Sequence, residues 1–395
     1  MVAMDGSVSD RVAGAVAQYA DVFHAVVELD HHVASPAGAW LLLALVAPAA
    51  GGEVRDRLGE VLGVDPQDAH DAAGALLAQP HPAVGAAVAA WSRPGVRVGR
   101  YAAWEAALPE QVARGPIPSP SDADRWAREH TLGVIEKFPL KVTPSTLVAL
   151  ATALATRIQW VTPFTPASSS FLGGPWARRA SGALYADLDG HPGHVMGLVT
   201  VDGEVVAVHA VRSGDGLHVT SVIAGEAVPR RRVLALAHRL GGAAARGHAW
   251  PMADLSALPL GDHGFYTLAE EPRDAPTCRV HLPAWQAQTD LDLMTDPAYG
   301  FAAAGTALAL LLPGPVAGEE AAQAAVARYD AKGFEAAAVT ALFVSSMGFP
   351  RPAGPLRRTP HLRFNHPYAV VAHTTGETGP WHGLPVFSAW ISQPS

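Results

Sequence analysis

The stretch "RYDAKGFEAAAVTALFVSSMGFP" (residues 328–350) places a run of small and apolar residues directly before a proline-broken tail. A period of two puts Phe334, Ala336, Ala338, Thr340, Leu342 and Val344 on one face and Glu335 on the other. A strand of that kind suits the middle of a sheet, yet no partner hairpin stands beside it in the sequence. Alanine and glutamate also favour helix, so the residues by themselves leave an ordinary helix or a permanent strand open.

The rest of the chain bounds what such a segment could belong to. With 395 residues, 49% hydrophobic and 16% charged, it can bury a large core and is globular. Glycine (38) and proline (33) punctuate turns without reaching the share that marks disorder. The formal charge is -8, the lysines are Lys137, Lys141 and Lys332 only, and the arginines are scattered, which argues against nucleic acid as a partner. Cys278 is the only cysteine, so neither an internal disulfide nor a paired-cysteine metal site is possible. In "CRVHLPAW" (278–285) the alternation sets Cys278, Val280 and Leu282 on one face, as a core thiol in a strand.

Helices dominate the first third. Val12, Val16, Tyr19, Phe23 and Val26 recur at helical spacing behind Ser9, a candidate cap. Residues 37–47 read as a helix buried on nearly all sides, and residues 53–62 as a third that closes at Gly63. Ser121 and Gly133 bracket another, "DRWAREHTLGVIEKF" (124–138). The period then changes. Residues 197–225 divide into three strands at Asp202-Gly203 and at 213–216, an antiparallel meander; residues 229–247 return to helix. Strands follow at 278–285 and over the closing stretch, so helices early and strands late predict an α+β fold.

Five segments in order, "SPAGAWLLLALVAPAAGGEVRDRLGEVLG", "DRWAREHTLGVIEKF", "LVALATALATRIQWVTPF", "HLPAW" and the closing "FNHPYAVVAHTTG" with "LPVFSAWISQP", resemble the serpin family from about residue 10 to the C-terminus. "SPAGAWLLLALVAPAAGGEVRDRLGEVLG" (35–63) is similar to its serine-proline motif and buried helix, with Ser35, Pro36, Glu53, Leu58, Leu62 and Gly63 in matching places. Trp126, Thr131 and Gly133 match a second motif, and "LVALATALATRIQWVTPF" (147–164) a third, ending in Trp160, Pro163 and Phe164. "HLPAW" (281–285) and the closing pair, "FNHPYAVVAHTTG" with "LPVFSAWISQP", resemble the remaining two. The resemblance implies one serpin-like domain over residues 10–395, with helices around a large, mostly antiparallel central sheet, smaller sheets, and an exposed reactive loop within 333–360.

Under that resemblance the opening stretch is the hinge of the loop, Gly333, Phe334, Glu335, Ala336, Ala337, Ala338, Val339 and Thr340. Loop insertion adds a strand to the sheet, and small side chains pass between packed strands at least cost. Counting from the hinge implies a reactive bond at Met347-Gly348, with Arg357 and Arg358 as a rival site. Methionine suits a chymotrypsin-like or elastase-like pocket. Ser35, Thr152 and Trp160 fall in the region where the sheet would open. Phe334 stands where inhibitory members carry threonine or serine, and Ala331 where they carry glutamate. Gly38, Thr152 and Gln323 replace serine, asparagine and histidine. A bulky Phe334 is expected to slow insertion, and the substituted polar residues to alter the latch beneath the sheet.

No other chemistry stands out. There is no His-Glu-x-x-His helix, nucleophile elbow, phosphate loop or dinucleotide fingerprint, so neither catalytic residues nor a cofactor or metal is expected. His31 and His32 point different ways, and His191 and His194 lie in a glycine-proline turn. The acidic N-terminus and the short apolar run "AWLLLALVAPAA", cut by Pro48, predict a soluble cytoplasmic protein with no membrane partner; export by another route stays open, and a monomer is expected. Two functions remain: a suicide-substrate inhibitor of a serine protease, or a non-inhibitory binding or scaffolding protein whose loop never inserts.

Overall fold

The computed structural model describes residues 6–131, 133, 135–139, 143, 145–314, 320–334, 354–376 and 378–395. Among them α1 (Gly6–Ala25), α2 (Pro36–Val46), α3 (Gly52–Leu62), α4 (Pro66–Ala78), α5 (Gly99–Ala107) and α6 (Pro120–His130) occupy the first third. The remaining helices are α7 (Trp176–Arg179), α8 (Arg230–Ala245) and α9 (Phe301–Ala309).

Local chemistry accounts for the helix ends. Ser35 caps α2 by accepting the Gly38 N–H, Pro36 takes the first helical position, and every residue of the helix except Leu42 is buried. Gly63 ends α3 in the left-handed region at φ 71°. Two caps differ from the sequence reading. Ser9 lies inside α1, which starts at Gly6, and α6 is capped by Ser119 because Pro120, not Asp122, fills its first position. Gly133, at φ 82°, donates to the Arg128 carbonyl at 2.8 Å and closes that helix as expected. α4 and α5 had no expected counterpart; alanine-rich sequence carries too weak a periodicity to reveal them.

Among the described residues the strands form four sheets. One six-stranded sheet runs in the order His32–Ala34, Pro385–Ile391, Tyr368–Thr374, Leu217–Ile223, Glu204–Arg212, His194–Val201. Its last three strands are the expected meander, and Asp202 and Gly203, at φ 52° and 84°, make the two-residue turn. The other six-stranded sheet contains Leu356–Arg363 between Tyr266–Pro272 and Arg279–Leu282. Cys278, just before the last of these, is buried with Val280 and Leu282, and burial pushes its thiol up to about 12, an inert core residue.

The two smaller sheets are halves of one layer. Trp285–Asp292, Ala322–Tyr329, Gly333–Phe334 and Ile158–Gln159 form one half; Ala113–Gly115, Gly85–Ser92 and Val148–Ala155 form the other. The chain passes from one half to the other between Ala155 and Ile158. The largest apolar cluster among the described residues extends from Val12 to Ile391 and includes residues of both halves. A second core, with Val208, Val222, Leu236 and Val371, lies between α8 and the first six-stranded sheet.

Candidate functional site: a slot in the central layer

Among the described residues no ladder joins Val148–Ala155 to Ala322–Tyr329, although the two strands flank each other. Between them lies a slot whose empty volume, part of it open to solvent, is about 1020 Å³. Leu150, Thr152 and Leu154 line one side and Gln323, Ala325 and Ala327 the other. Trp126 and Phe138 cover it on the α6 side, packed with Trp91, Ala149 and Ala151.

Among the described residues the slot closes at its head. There Gly333 pairs with Gln159, and Phe334 pairs with Ile158 on one side and Tyr329 on the other, all antiparallel. Gly333 is required by close approach: a Cβ there would collide with the Ile158 carbonyl oxygen. Phe334 is 4% exposed and packs edge-on to Trp285, with ring centroids 6.1 Å apart, and near Phe387. The strand Gly333–Phe334 is therefore already seated in the layer, with the aromatic side chain turned inward.

The turn that leads into Gly333–Phe334 is held from two directions. Asp330 Oδ1 accepts the N–H groups of Lys332 (2.8 Å) and Gly333 (3.1 Å), and the Asp330 N–H donates to the Gly333 carbonyl. The three turn carbonyls are taken by one neighbouring segment. Trp160 donates through Nε1–H to Asp330 O and through its backbone N–H to Lys332 O, both at 3.0 Å. The Phe164 N–H donates to Ala331 O at 2.8 Å. Trp160, Phe164 and Tyr329 then pack ring against ring, and burial raises the Tyr329 phenol well above its ordinary value.

Lower in the slot, the polar groups are tied to α2 rather than to each other. Gln323 accepts the Ser35 N–H at 3.0 Å and donates to the Ser35 carbonyl at 2.8 Å. Thr152 Oγ1 donates to the Gly38 carbonyl at 3.2 Å, and Ser35 Oγ donates to Val386 O at 2.8 Å. A Cβ at Gly38 would sit 3.3 Å from both Ser35 Oγ and Thr152 Oγ1, so glycine there goes with this close arrangement. Each flank of the slot is thus anchored to the start of one buried helix.

The structure brings Ser35, Thr152, Trp160, Gly333 and Phe334 to this one slot. Glu335, Ala336, Ala337, Ala338, Val339, Thr340, Met347 and Gly348 lie outside the described residues. Arg357 and Arg358 do not fit a scissile bond. They sit in Leu356–Arg363, opposite Glu271 and Glu270, and Arg358 Nη1 donates to the carbonyls of Leu255, Ser256 and Leu258 at 2.5–3.0 Å. A protease cleft takes extended, unpaired backbone, and here it is committed to a ladder. The reading of this pair as a rival cleavage site is therefore set aside. Asp330, Trp285 and Phe387 escaped the sequence reading; of these only Asp330, three residues before Gly333, carried a turn signal. Among the described residues no group of three or more His, Cys, Asp or Glu could hold a metal ion, and no helix is long and apolar enough to cross a membrane.

No family model and no curated protein matches the chain. Solved structures do. Serpin48 of the insect Tenebrio molitor aligns over 98% of this chain and 99% of its own, at 16% identity and TM-score 0.62. The thermophilic serpin tengpin, in its native state, aligns over 99% and 95%, at 13% identity and TM-score 0.64. Thyroxine-binding globulin in complex with thyroxine aligns over 98% and 100%, at 12% identity and TM-score 0.63. At these identities the likeness is one of backbone architecture, and with the helices, the sheets and the slotted central layer described above it makes this chain a serpin-fold protein.

Proposed function

We propose that this protein inhibits a serine protease as a suicide substrate, its loop inserting into the slot between Val148–Ala155 and Ala322–Tyr329. The observation that carries the reading is the seated hinge: Gly333 is laddered to Gln159, and Phe334 to Ile158 and Tyr329 on its two sides, at the head of a slot wide enough to have no ladder across it. Continuing the same register would set Ala336 opposite Ala327 and Thr340 between Thr152 and Gln323. The hydroxyl of Thr340 would then meet the polar groups at the foot of the slot, and the alanines would pass its apolar stretch.

The protease would attack the loop at Met347-Gly348 and form its acyl-enzyme. The freed strand would then insert faster than water cleaves the ester. From Phe334 to Met347, 13 residues at about 3.3 Å carry the tethered enzyme roughly 43 Å along the layer, which distorts its catalytic geometry. Methionine favours a chymotrypsin-like or elastase-like enzyme. A partner of that kind, encountered by a monomeric inhibitor, is the expected complex.

The test is incubation with chymotrypsin-like, elastase-like and trypsin-like proteases, followed by denaturing electrophoresis. A covalent complex with one of the first two supports the reading. Cleavage within the loop with no complex supports the second function, a binding or scaffolding protein; a similar fold does carry thyroxine in thyroxine-binding globulin.

A further inference from the structure

Behind the segment that grips the hinge turn lies a buried pair of histidines, His194 and His209, in adjacent strands of the first six-stranded sheet. Phe164 rests on both, with ring centroids 4.7 and 5.3 Å away. Their hydrogen bonds fix every proton. A carbonyl only accepts, so His194 Nε2, 2.7 Å from Thr162 O, carries hydrogen. His194 Nδ1 is then bare and accepts from His209 Nε2–H at 3.0 Å. That leaves His209 Nδ1 bare, and it has no partner and no exposed surface.

We propose that His194 and His209 form an acid-sensitive latch, which holds residues 160–164 over the hinge turn while both rings are neutral and releases them on protonation. The bare nitrogen of His209 is the open position for a proton, and a charged N–H there would be buried without an acceptor. No free carboxylate nearby compensates, and the Ser221 hydroxyl across the ladder from His209 makes no hydrogen bond to it. His191 and Asp187 face the pair from the turn before the His194 strand, and His218 lies on the neighbouring strand. The Tyr329 phenol stands beyond Phe164, and Arg212 follows His209 on its own strand. Asp187 is the one carboxylate among these groups. It is already engaged by the Tyr185 hydroxyl and the Gly190 N–H, each at 2.6 Å, and by His191 at 3.3 Å.

Burial, the largest cause, holds His209 well below the ordinary imidazole range and His194 at about 4. The closed latch therefore binds fewer protons than an open one. Opening is favoured as pH falls below about 6.5, by up to about tenfold per pH unit for each histidine, and the effect levels off below the closed-state value. What release does to the loop rests on the inhibitor reading; the latch itself does not.

The test is hydrogen exchange at the Trp160 and Phe164 amides, whose acceptors are Lys332 O and Ala331 O. It is followed in the intact protein from pH 7.5 to 5 and corrected for the intrinsic pH dependence of exchange. In wild type, protection should fall by about tenfold or more below pH 6.5. His209→Gln keeps a donor for His194 Nδ1 but does not titrate, so only His194 remains and the profile on a logarithmic scale should be about half as steep. A flat wild-type profile, or a variant parallel to wild type, overturns the latch. In wild type, ¹⁵N shifts of the two rings give a second check. His209 should be the neutral Nε2–H tautomer at pH 7 and titrate in step with the loss of protection; a ring that titrates without that loss also overturns it. Neither arm uses a protease, so failure of the latch and failure of inhibition are read separately.

Discussion

Replacing Phe334 separates two accounts of the hinge. Its position in the sequence suggested an obstacle to insertion, but the ring is already seated at 4% exposure, between Trp285 and Phe387, at the head of the slot. Truncation to alanine should therefore empty a core site and destabilise the protein by about 3–5 kcal/mol. With unfolding entropy near 2.1 cal/mol/K per residue over 395 residues, about 0.8 kcal/mol/K in all, that is a fall in Tm of roughly 4–6 °C. The hinge keeps its seat after the loop is cut, so intact and loop-cleaved forms should lose the same amount. Thermal unfolding of both forms checks this, together with the ratio of protease trapped to inhibitor cleaved, which Phe334→Thr should leave unchanged or lower. A raised trapping ratio with an unaltered Tm would refute the reasoning and restore Phe334 as an obstacle.

Other consequences can be checked with single changes. Gly333→Ala places a Cβ against the Ile158 carbonyl; the hinge strand should unpair from Ile158–Gln159 and Trp160 emission should shift, whereas an unchanged spectrum and Tm would contradict the close approach. Trp160→Phe keeps an aromatic ring but deletes the bond to Asp330 O, at a net cost of about 0.5–1.5 kcal/mol. Trp40→Phe deletes an equivalent bond to Leu62 O in the core, so only the first variant should speed loop insertion, and equal rates would leave Trp160 a plain core residue. Burial lowers His32, His194, His218 and His361 to about 4 and His281 to about 3. The native state thus binds fewer protons than the unfolded chain below about pH 6.5, and stability should be lost as pH falls from there toward about 4; equal urea midpoints at pH 7.5 and 5 would contradict it.

Much of the architecture was legible because it rests on local signals. Asp202-Gly203 fixed the meander by its turn geometry, Ser35-Pro36 fixed the start of α2, and the period of two turned Phe334 inward. The site was legible in its residues but not in its bonding. Thr152 and Gln323 stood out as substitutions, yet their separate attachment to α2 depends on Gly38 bringing Ser35 and Thr152 close, a tertiary fact with no local pattern. The Arg357-Arg358 pair misled for the same reason. Two adjacent arginines resemble a cleavage signal in any chain, and only the ladder with Glu270 and Glu271 reveals that their backbone is committed. The His194–His209 pair was invisible because the two residues lie 15 positions apart and meet only through the register of their strands.

The central claim is that the slot accepts the loop, and hydrogen exchange along its two walls tests it most directly. The loop is cut once within residues 335–353, and the amides of Val148–Ala155 and Ala322–Tyr329 are compared before and after. If the freed strand inserts, it adds ladder bonds worth about 0.5–1.5 kcal/mol each on both flanks. Amides on both walls should then gain protection together, and the cleaved protein should melt well above the intact one. Unchanged protection on either wall after complete cleavage, with no rise in Tm, would contradict the account.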